Sequence, residues 1–234
     1  MASNRFTRAV HLKMLPREMA RLLEASIVCV SDDLDRYVLH HVYFEADGGK
    51  SRLISTDGHM LSVITGPESE LEIVEPLCLH SEIVKKLVAG LKRFPRGVKE
   101  LAELSIDVAD KTVRCRVVVR DSLHSMEWTA ERMPGDGEFP EWRRLLPYFM
   151  ERATLNESVV NPVLLARMAR IARSLGTSQV RLTPAAAADK ALRWCGDAKA
   201  IGVEGQWKWF VGVMPMSEGT EHTPTIHVVL PEVA

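Results

Sequence analysis

The chain has no uninterrupted apolar run long enough to cross a bilayer, and its amino terminus lacks the hydrophobic stretch of a signal peptide. Membrane insertion and export are therefore not expected, and a cytoplasmic location is. Cysteine is scarce: Cys29, Cys78, Cys115 and Cys195 are widely spaced and form no Cys-x-x-Cys pair. They read as small buried residues in a reducing compartment, not as zinc ligands or a disulfide frame. Neither sign of charge dominates, the formal net charge being -1. Nucleic-acid binding thus cannot be argued from overall basicity, only from where the charges lie.

Catalytic signatures are missing too. There is no Gly-x-x-x-x-Gly-Lys-Ser/Thr loop, no His-Glu-x-x-His and no Gly-x-Ser-x-Gly, which removes the commonest nucleotide, zinc-hydrolase and serine-hydrolase patterns. Asp32, Asp33 and Asp35 read as a solvated turn in preference to a cation site. His40 and His41 are neighbours on an expected strand, so they point to opposite faces and suit one metal poorly. No metal and no cofactor are expected. Asp57 and His59 remain as an orienting carboxylate and general base for a small hydrolase, a distant alternative because no nucleophile lies near them in sequence.

What is present is a soluble α+β pattern. The chain has 234 residues, 46% of them hydrophobic and 26% charged, enough for a sizeable core. Ala9 to Leu15 reads as a strand, Pro16 opens a helix, and Met19, Leu22, Leu23 and Ile27 form its apolar stripe. Strands are expected over Arg36 to Ala46 and on both sides of a Thr56-Asp57-Gly58-His59 turn, Leu53 to Thr65. The unit of strand, helix and three strands then recurs. Leu71 to Leu79 is a strand, Ser81 an N-cap, and Ile83, Val84, Leu87, Val88 and Leu91 a helical stripe. Leu101 to Val108, Thr112 to Val119 and Ser125 to Glu131 follow as strands.

A third pass runs through a strand at Leu155 to Val160, a cap at Asn161 and a helix from Pro162 with Leu164, Met168, Ile171 and Leu175 buried. Gly176 ends that helix. Strands follow at Gln179 to Leu182, Ala191 to Cys195 and Trp207 to Met214, and Pro224 to Leu230 reads as an additional strand. Each helix carries basic residues beside its stripe: Arg17 and Arg21; Lys85, Lys86 and Lys92; Arg167, Arg170 and Arg173. Equivalent positions in three repeats place such residues on one surface.

Three stretches, in order, carry a family resemblance: Leu53-Ile-Ser-Thr-Asp-Gly-His-Met-Leu, Gly137-Glu-Phe-Pro-Glu-Trp-Arg-Arg-Leu-Leu-Pro147 and Phe210-Val-Gly-Val-Met-Pro-Met216. They resemble the bacterial DNA sliding clamp, the beta subunit of DNA polymerase III, in a shortened form. The resemblance implies a clamp fold with helices on one face of antiparallel sheets. It divides the chain into a complete clamp-like domain over 1–147 (half-repeats at about 7–66 and 70–147), a third half-repeat over 148–217, and a linker with an extra strand over 218–234.

The resemblance also implies a non-enzymatic processivity factor, a ring around duplex DNA that tethers a polymerase and other DNA-handling proteins and is opened by a clamp loader. Partner peptides would enter an apolar pocket formed by Leu39, Thr56, Gly58, His59, Leu61, Pro140, Arg144, Leu145, Val213 and Met214. Met60 stands where the family has arginine, and Gly212 where it has a larger residue. The basic helix residues would face DNA phosphates without reading bases. Family rings hold twelve half-units. Three per chain imply a homotetramer, and a compressed final domain would imply a trimer. A clamp-like adaptor or decoy that binds peptides without encircling DNA is the alternative.

Overall fold

The computed structural model describes residues 6–95, 97–119, 125–132, 139–146, 157–160, 162–177, 180–183, 192–198, 202, 207–213 and 226–229. The first repeat consists of β1 (Thr7–Met14), α1 (Pro16–Ser26), β2 (His41–Asp47), β3 (Lys50–Thr56) and β4 (Met60–Pro67). Short β5 (Leu71–Ile73) precedes the second, which comprises β6 (Leu77–His80), α2 (Ser81–Leu91), β7 (Ala102–Ala109), β8 (Thr112–Val119) and β9 (Ser125–Glu131). The third has β10 (Glu157–Val160), α3 (Pro162–Ser174), β11 (Arg181–Thr183), β12 (Leu192–Asp197) and β13 (Lys208–Val213), and β14 (Ile226–Val229) follows.

Two sheets dominate. One runs β5-β1-β7-β8-β9, and the other β11-β12-β13-β4-β3-β2-β6; β10 pairs with β14 in a separate two-stranded sheet. Each of the first two repeats thus lends its opening strand to the other's sheet. β1 pairs antiparallel with β7, and β6 with β2. The third repeat joins differently, with β13 laid antiparallel along the edge of β4, Gly212 opposite Leu61 and Phe210 opposite Val63.

Period-two alternation sorts the seven-stranded sheet into two faces. Val42, Phe44, Leu53, Met60, Ile64, Trp209, Val211 and Val213 belong to the main core with the helix stripes, whereas Ile54, Leu61 and Val63 form a second cluster with Trp142, Tyr43 and Phe210. The stripes read from sequence are buried at Met19, Leu22 and Leu23 on α1 and at Ile83, Val84, Leu87, Val88 and Leu91 on α2, whereas Ile27 is the C-cap of α1, outside the helix and only partly buried. Leu164, Met168, Ile171 and Leu175 are buried in the third repeat. Gly176 has φ 69°, and the Thr177 N–H reaches the Ala172 carbonyl at 2.9 Å, closing the helix.

Four local expectations are corrected. Residues Tyr37–His40 form a 3-10 turn, so the strand begins only at His41. The Leu39 N–H bonds the Arg36 carbonyl at 2.8 Å and its own carbonyl accepts from Ser31, closing the turn locally. Leu71 to Leu79 is two strands, because β5 pairs with β1 in one sheet and β6 with β2 in the other. The N-cap of α2 is His80, whose Nδ1 accepts from the Glu82 N–H at 3.2 Å, and Ser81 is already helical. His40 lies in the 3-10 turn, not on a strand beside His41. Asn161, Met214 and the linker before the extra strand fall outside the described residues.

Candidate functional site

The Thr56 to Met60 turn is held by its own side chains. Asp57 Oδ1 accepts the N–H groups of His59 and Met60 at 2.8 and 2.7 Å, and the Thr56 hydroxyl donates to the Met60 carbonyl at 2.7 Å while accepting from Gly58 N–H at 3.1 Å. Gly58 takes φ 90°, which favours glycine, and an added Cβ would meet Arg36 Nη1 at 3.0 Å and Leu39 Cδ1 at 3.9 Å. Asp57 is only 8% exposed, and its Oδ2 accepts from Arg167 Nη1 at 2.5 Å. Its carboxylate is therefore engaged with backbone amides and a guanidinium, while His59 lies exposed at the tip. An orienting carboxylate for a histidine base is not built here.

Arg167 does not belong with the exposed cations. Besides Asp57, its Nε and Nη2 donate to the Val28 carbonyl at 3.0 and 2.6 Å, and Nη2 to the Val30 carbonyl at 3.3 Å. One guanidinium thus ties α3 to the end of α1 and to the β3–β4 turn. Cys29, fully buried beside this group, has its thiol pushed up from 9.0 to about 12 by burial, partly offset by Arg167 and reinforced by Asp57.

A second segment, residues 139–146, lies across the outer face of the seven-stranded sheet. Trp142, 5% exposed, packs with Ile54, Leu61 and Val63, and Phe139 stacks on Tyr43 with ring centroids 5.0 Å apart. Beneath it Glu45 is 3% exposed and accepts two N–H groups of Arg143 at 2.9 and 2.8 Å and one of Arg52 at 3.4 Å. Trp142 Nε1 also reaches Glu45, at 3.4 Å. This carboxylate fastens the segment to the sheet through charge-assisted hydrogen bonds.

Several expected pocket residues lie at or near this turn and this segment. Leu39 lies beside Gly58, Thr56 and Leu61 flank the turn, and Pro140 and Arg144 belong to the segment over the same face. Arg144 is exposed and pairs with Glu141. Leu145 ends a 3-10 turn (Trp142–Leu145). Val213, 1% exposed, is corrected: alternation puts it in the main core on the opposite face from Leu61. Gly212, directly across from Leu61, adds no side chain to the outer face there. Sequence reading missed Trp142, Phe139, Tyr43, Glu45 and Arg143, although the Phe-Pro-Glu-Trp-Arg-Arg stretch contained three of them.

On the other side of the molecule α1 packs against both α2 and α3. Arg17, Arg21 and Lys92 line one groove between α1 and α2 with Glu24, which Lys92 Nζ reaches at 3.0 Å. Lys85 pairs with Glu82 at 2.6 Å, and that hydrogen bond holds the Glu82 carboxyl below its usual range. Lys86, Arg170 and Arg173 are exposed.

Among solved structures, the fold is similar to that of the beta sliding clamp of C. crescentus, with a TM-score of 0.60 and 13% identity, covering 93% of this chain and 67% of that one. The DNA polymerase sliding clamp of Pseudomonas aeruginosa gives 0.56 and 14%, over 90% and 67%. The chain has the sliding-clamp fold. Sequence likeness agrees: it is 32% identical over 132 residues to the beta sliding clamp of Escherichia coli K12 and 29% identical over 141 residues to that of Haemophilus influenzae. These alignments take in 55% and 59% of this chain and 31% and 34% of the clamps, so the chain spans about a third of the length of those relatives. No family model matches the chain. Among the described residues no helix is long and apolar enough to cross a membrane, and no group of three or more His, Cys, Asp or Glu is placed to hold a metal ion.

Proposed function

We propose that the protein is a DNA sliding clamp: an oligomeric ring around duplex DNA that acts in the cytoplasm as a processivity factor. The observation that carries this reading is the division of the molecule into two surfaces. Three adjacent helices present Arg17, Arg21, Lys85, Lys86, Lys92, Arg170 and Arg173, while the outer face of the seven-stranded sheet gathers an apolar cluster beside an exposed turn. The cations meet phosphates without reading bases, so affinity for DNA is modest and falls steeply with salt. Duplex DNA is one partner. Polymerases and other proteins with leucine- and phenylalanine-containing peptides are the other, bound at Leu39, Gly58, His59, Pro140 and Arg144 over the buried Leu61. Leu145 and Met214 complete that pocket by the family resemblance, and a clamp loader would open the ring.

With three repeats per chain, twelve units make a tetramer, and four copies of 26.2 kDa give about 105 kDa. The decisive experiment compares retention on nicked circular DNA with retention on the same DNA after linearisation. An encircling ring is held by the circle at moderate salt and slides from the linear ends. Equal retention on both forms would sink the topological mechanism and leave an adaptor that binds peptides without a ring.

A further inference from the structure

In the first two repeats the opening strand never stays with the three strands that follow its helix. β1 joins β7-β8-β9 and β6 joins β2-β3-β4, each pairing antiparallel with the first strand of the other repeat's triplet. In the third repeat the triplet is β11-β12-β13, and β13 is engaged with β4. The position beside β11 therefore corresponds to the one that β1 fills beside β7 and β6 fills beside β2. Among the described residues nothing pairs with β11 on that side. The opening strand β10 has likewise left its triplet, and pairs antiparallel with β14. The arrangement matches β1, which carries short β5 on one edge and β7 on the other. β14 follows the triplet of its repeat as β5 follows β4 and, like β5, pairs with the opening strand of its own repeat; by that correspondence the other edge of β10 is the one that β1 gives to β7.

We propose that the third repeat is completed by the third repeat of a second copy of this chain, with β10 of each copy pairing antiparallel with β11 of the other. The sheet so formed reads β14-β10 from one copy, then β11-β12-β13-β4-β3-β2-β6 from its partner. Each copy offers one opening strand and one open triplet edge, so the contact is two-fold and self-complementary. Unpaired N–H and C=O groups on a strand edge template such pairing. The lengths agree, since β10 has four residues and β11 three. The exchange within the first domain uses a ladder of only four pairs between β2 and β6.

The contact deepens the assembly proposed above by specifying one junction of a four-chain ring, yet its argument rests on strand topology and not on DNA. The test uses two variants of the full chain in a Cys195→Ser background, Val159→Cys and Leu182→Cys, at the central residues of the two strands. Mixed and oxidised, they are expected to give a disulfide-linked species of twice 26.2 kDa, about 52 kDa, that neither gives alone. Light scattering on the unmodified chain, immune to any folding defect of the variants, is expected to show a mass of at least about 52 kDa. A monomer at all concentrations overturns the proposal, as does an assembly in which the mixture fails to cross-link. A cross-linking dimer that never grows supports the contact while removing the four-chain ring.

Discussion

The two junctions of this chain are built on different principles. Between the first and second repeats, opening strands are exchanged and α1 packs on α2, so neither sheet is complete without the other repeat. Between the first and third repeats, a sheet edge is extended by β13 and the join is fastened by polar pins. Arg167 reaches Asp57 and two carbonyls, Trp207 Nε1 donates to Glu70 Oε2 at 2.6 Å, and the Gly202 N–H reaches Glu18 Oε2 at 3.3 Å. Burial raises the Glu18 carboxyl above its usual range, with the Gly202 bond opposing that shift. Exchange makes two repeats one cooperative body. Edge extension joins the third repeat through one side of a sheet, with α3 packed on α1 and its apolar residues in the shared core, and the directed contacts pin that seam.

The largest effect should come from Arg167→Met, which leaves the Asp57 carboxylate buried without its cationic partner. Losing one member of a buried pair costs about 3–5 kcal/mol. Denaturant unfolding followed by Trp207 and Trp209 fluorescence should separate from a probe in the first two repeats, giving two transitions where the parent has one. Adding Asp57→Asn, which keeps an acceptor for the two turn amides, should recover part of the loss. A single undivided transition in Arg167→Met would mean that the apolar core, not this pin, holds the third repeat.

Leu22→Ala supplies the contrast. Leu22 is fully buried in α1, in the core shared by both exchanged repeats, and its truncation costs about 2–5 kcal/mol. The loss should lower the midpoint of one transition without splitting it, because neither repeat has a complete sheet of its own. Split transitions would refute the cooperative reading of strand exchange.

The contrast also explains what the sequence could disclose. The stripes of α1, α2 and α3 were legible because burial on a helix leaves a 3.6-residue period, and the β3–β4 hairpin because Asp57-Gly58 prefers a tight turn. Arg167 resembled Arg170 and Arg173 in spacing, and only a partner 110 residues away in the chain turns it inward. Val213 was assigned by motif, whereas its face is set by the register of β13 against β4. Trp142 passed unnoticed because its role needs the 139–146 segment to lie over Leu61, a contact with no local periodicity. The Leu71 to Leu79 run reads as one strand, but strand exchange requires its two ends to serve different sheets.

A smaller effect tests the same edge junction by crowding it. At Gly66 in β4 an added Cβ would lie 2.5 Å from the Trp207 ring, so Gly66→Ala forces the indole aside at a cost of about 1–3 kcal/mol. Because Trp207 also donates to Glu70, its displacement should weaken attachment of the third repeat selectively, visible as early loss of the Trp207 signal. A uniform drop in the midpoint would place the strain in β4 and its neighbours β3 and β2 instead.

The smallest expected effect is one of pH, and it reads the tightness of the junction directly. Cys29 lies fully buried beside Arg167 and Asp57, with its thiol raised from 9.0 to about 12 by burial. A raised folded value means the neutral thiol is favoured in the folded state. Its contribution to stability is complete below about pH 9 and is lost as pH climbs from there toward 12. At pH 8 an alkylating reagent should therefore modify half-exposed Cys195 first and leave Cys29 untouched. Arg167→Met should open the seam and bring Cys29 labelling toward the rate at Cys195, whereas Leu22→Ala should expose Cys29 and Cys115 together, since both lie in the shared core. Equal protection of Cys29 in both variants would erase the distinction between the exchanged and the edge-joined repeat, because opening at the seam would then require the whole body to unfold.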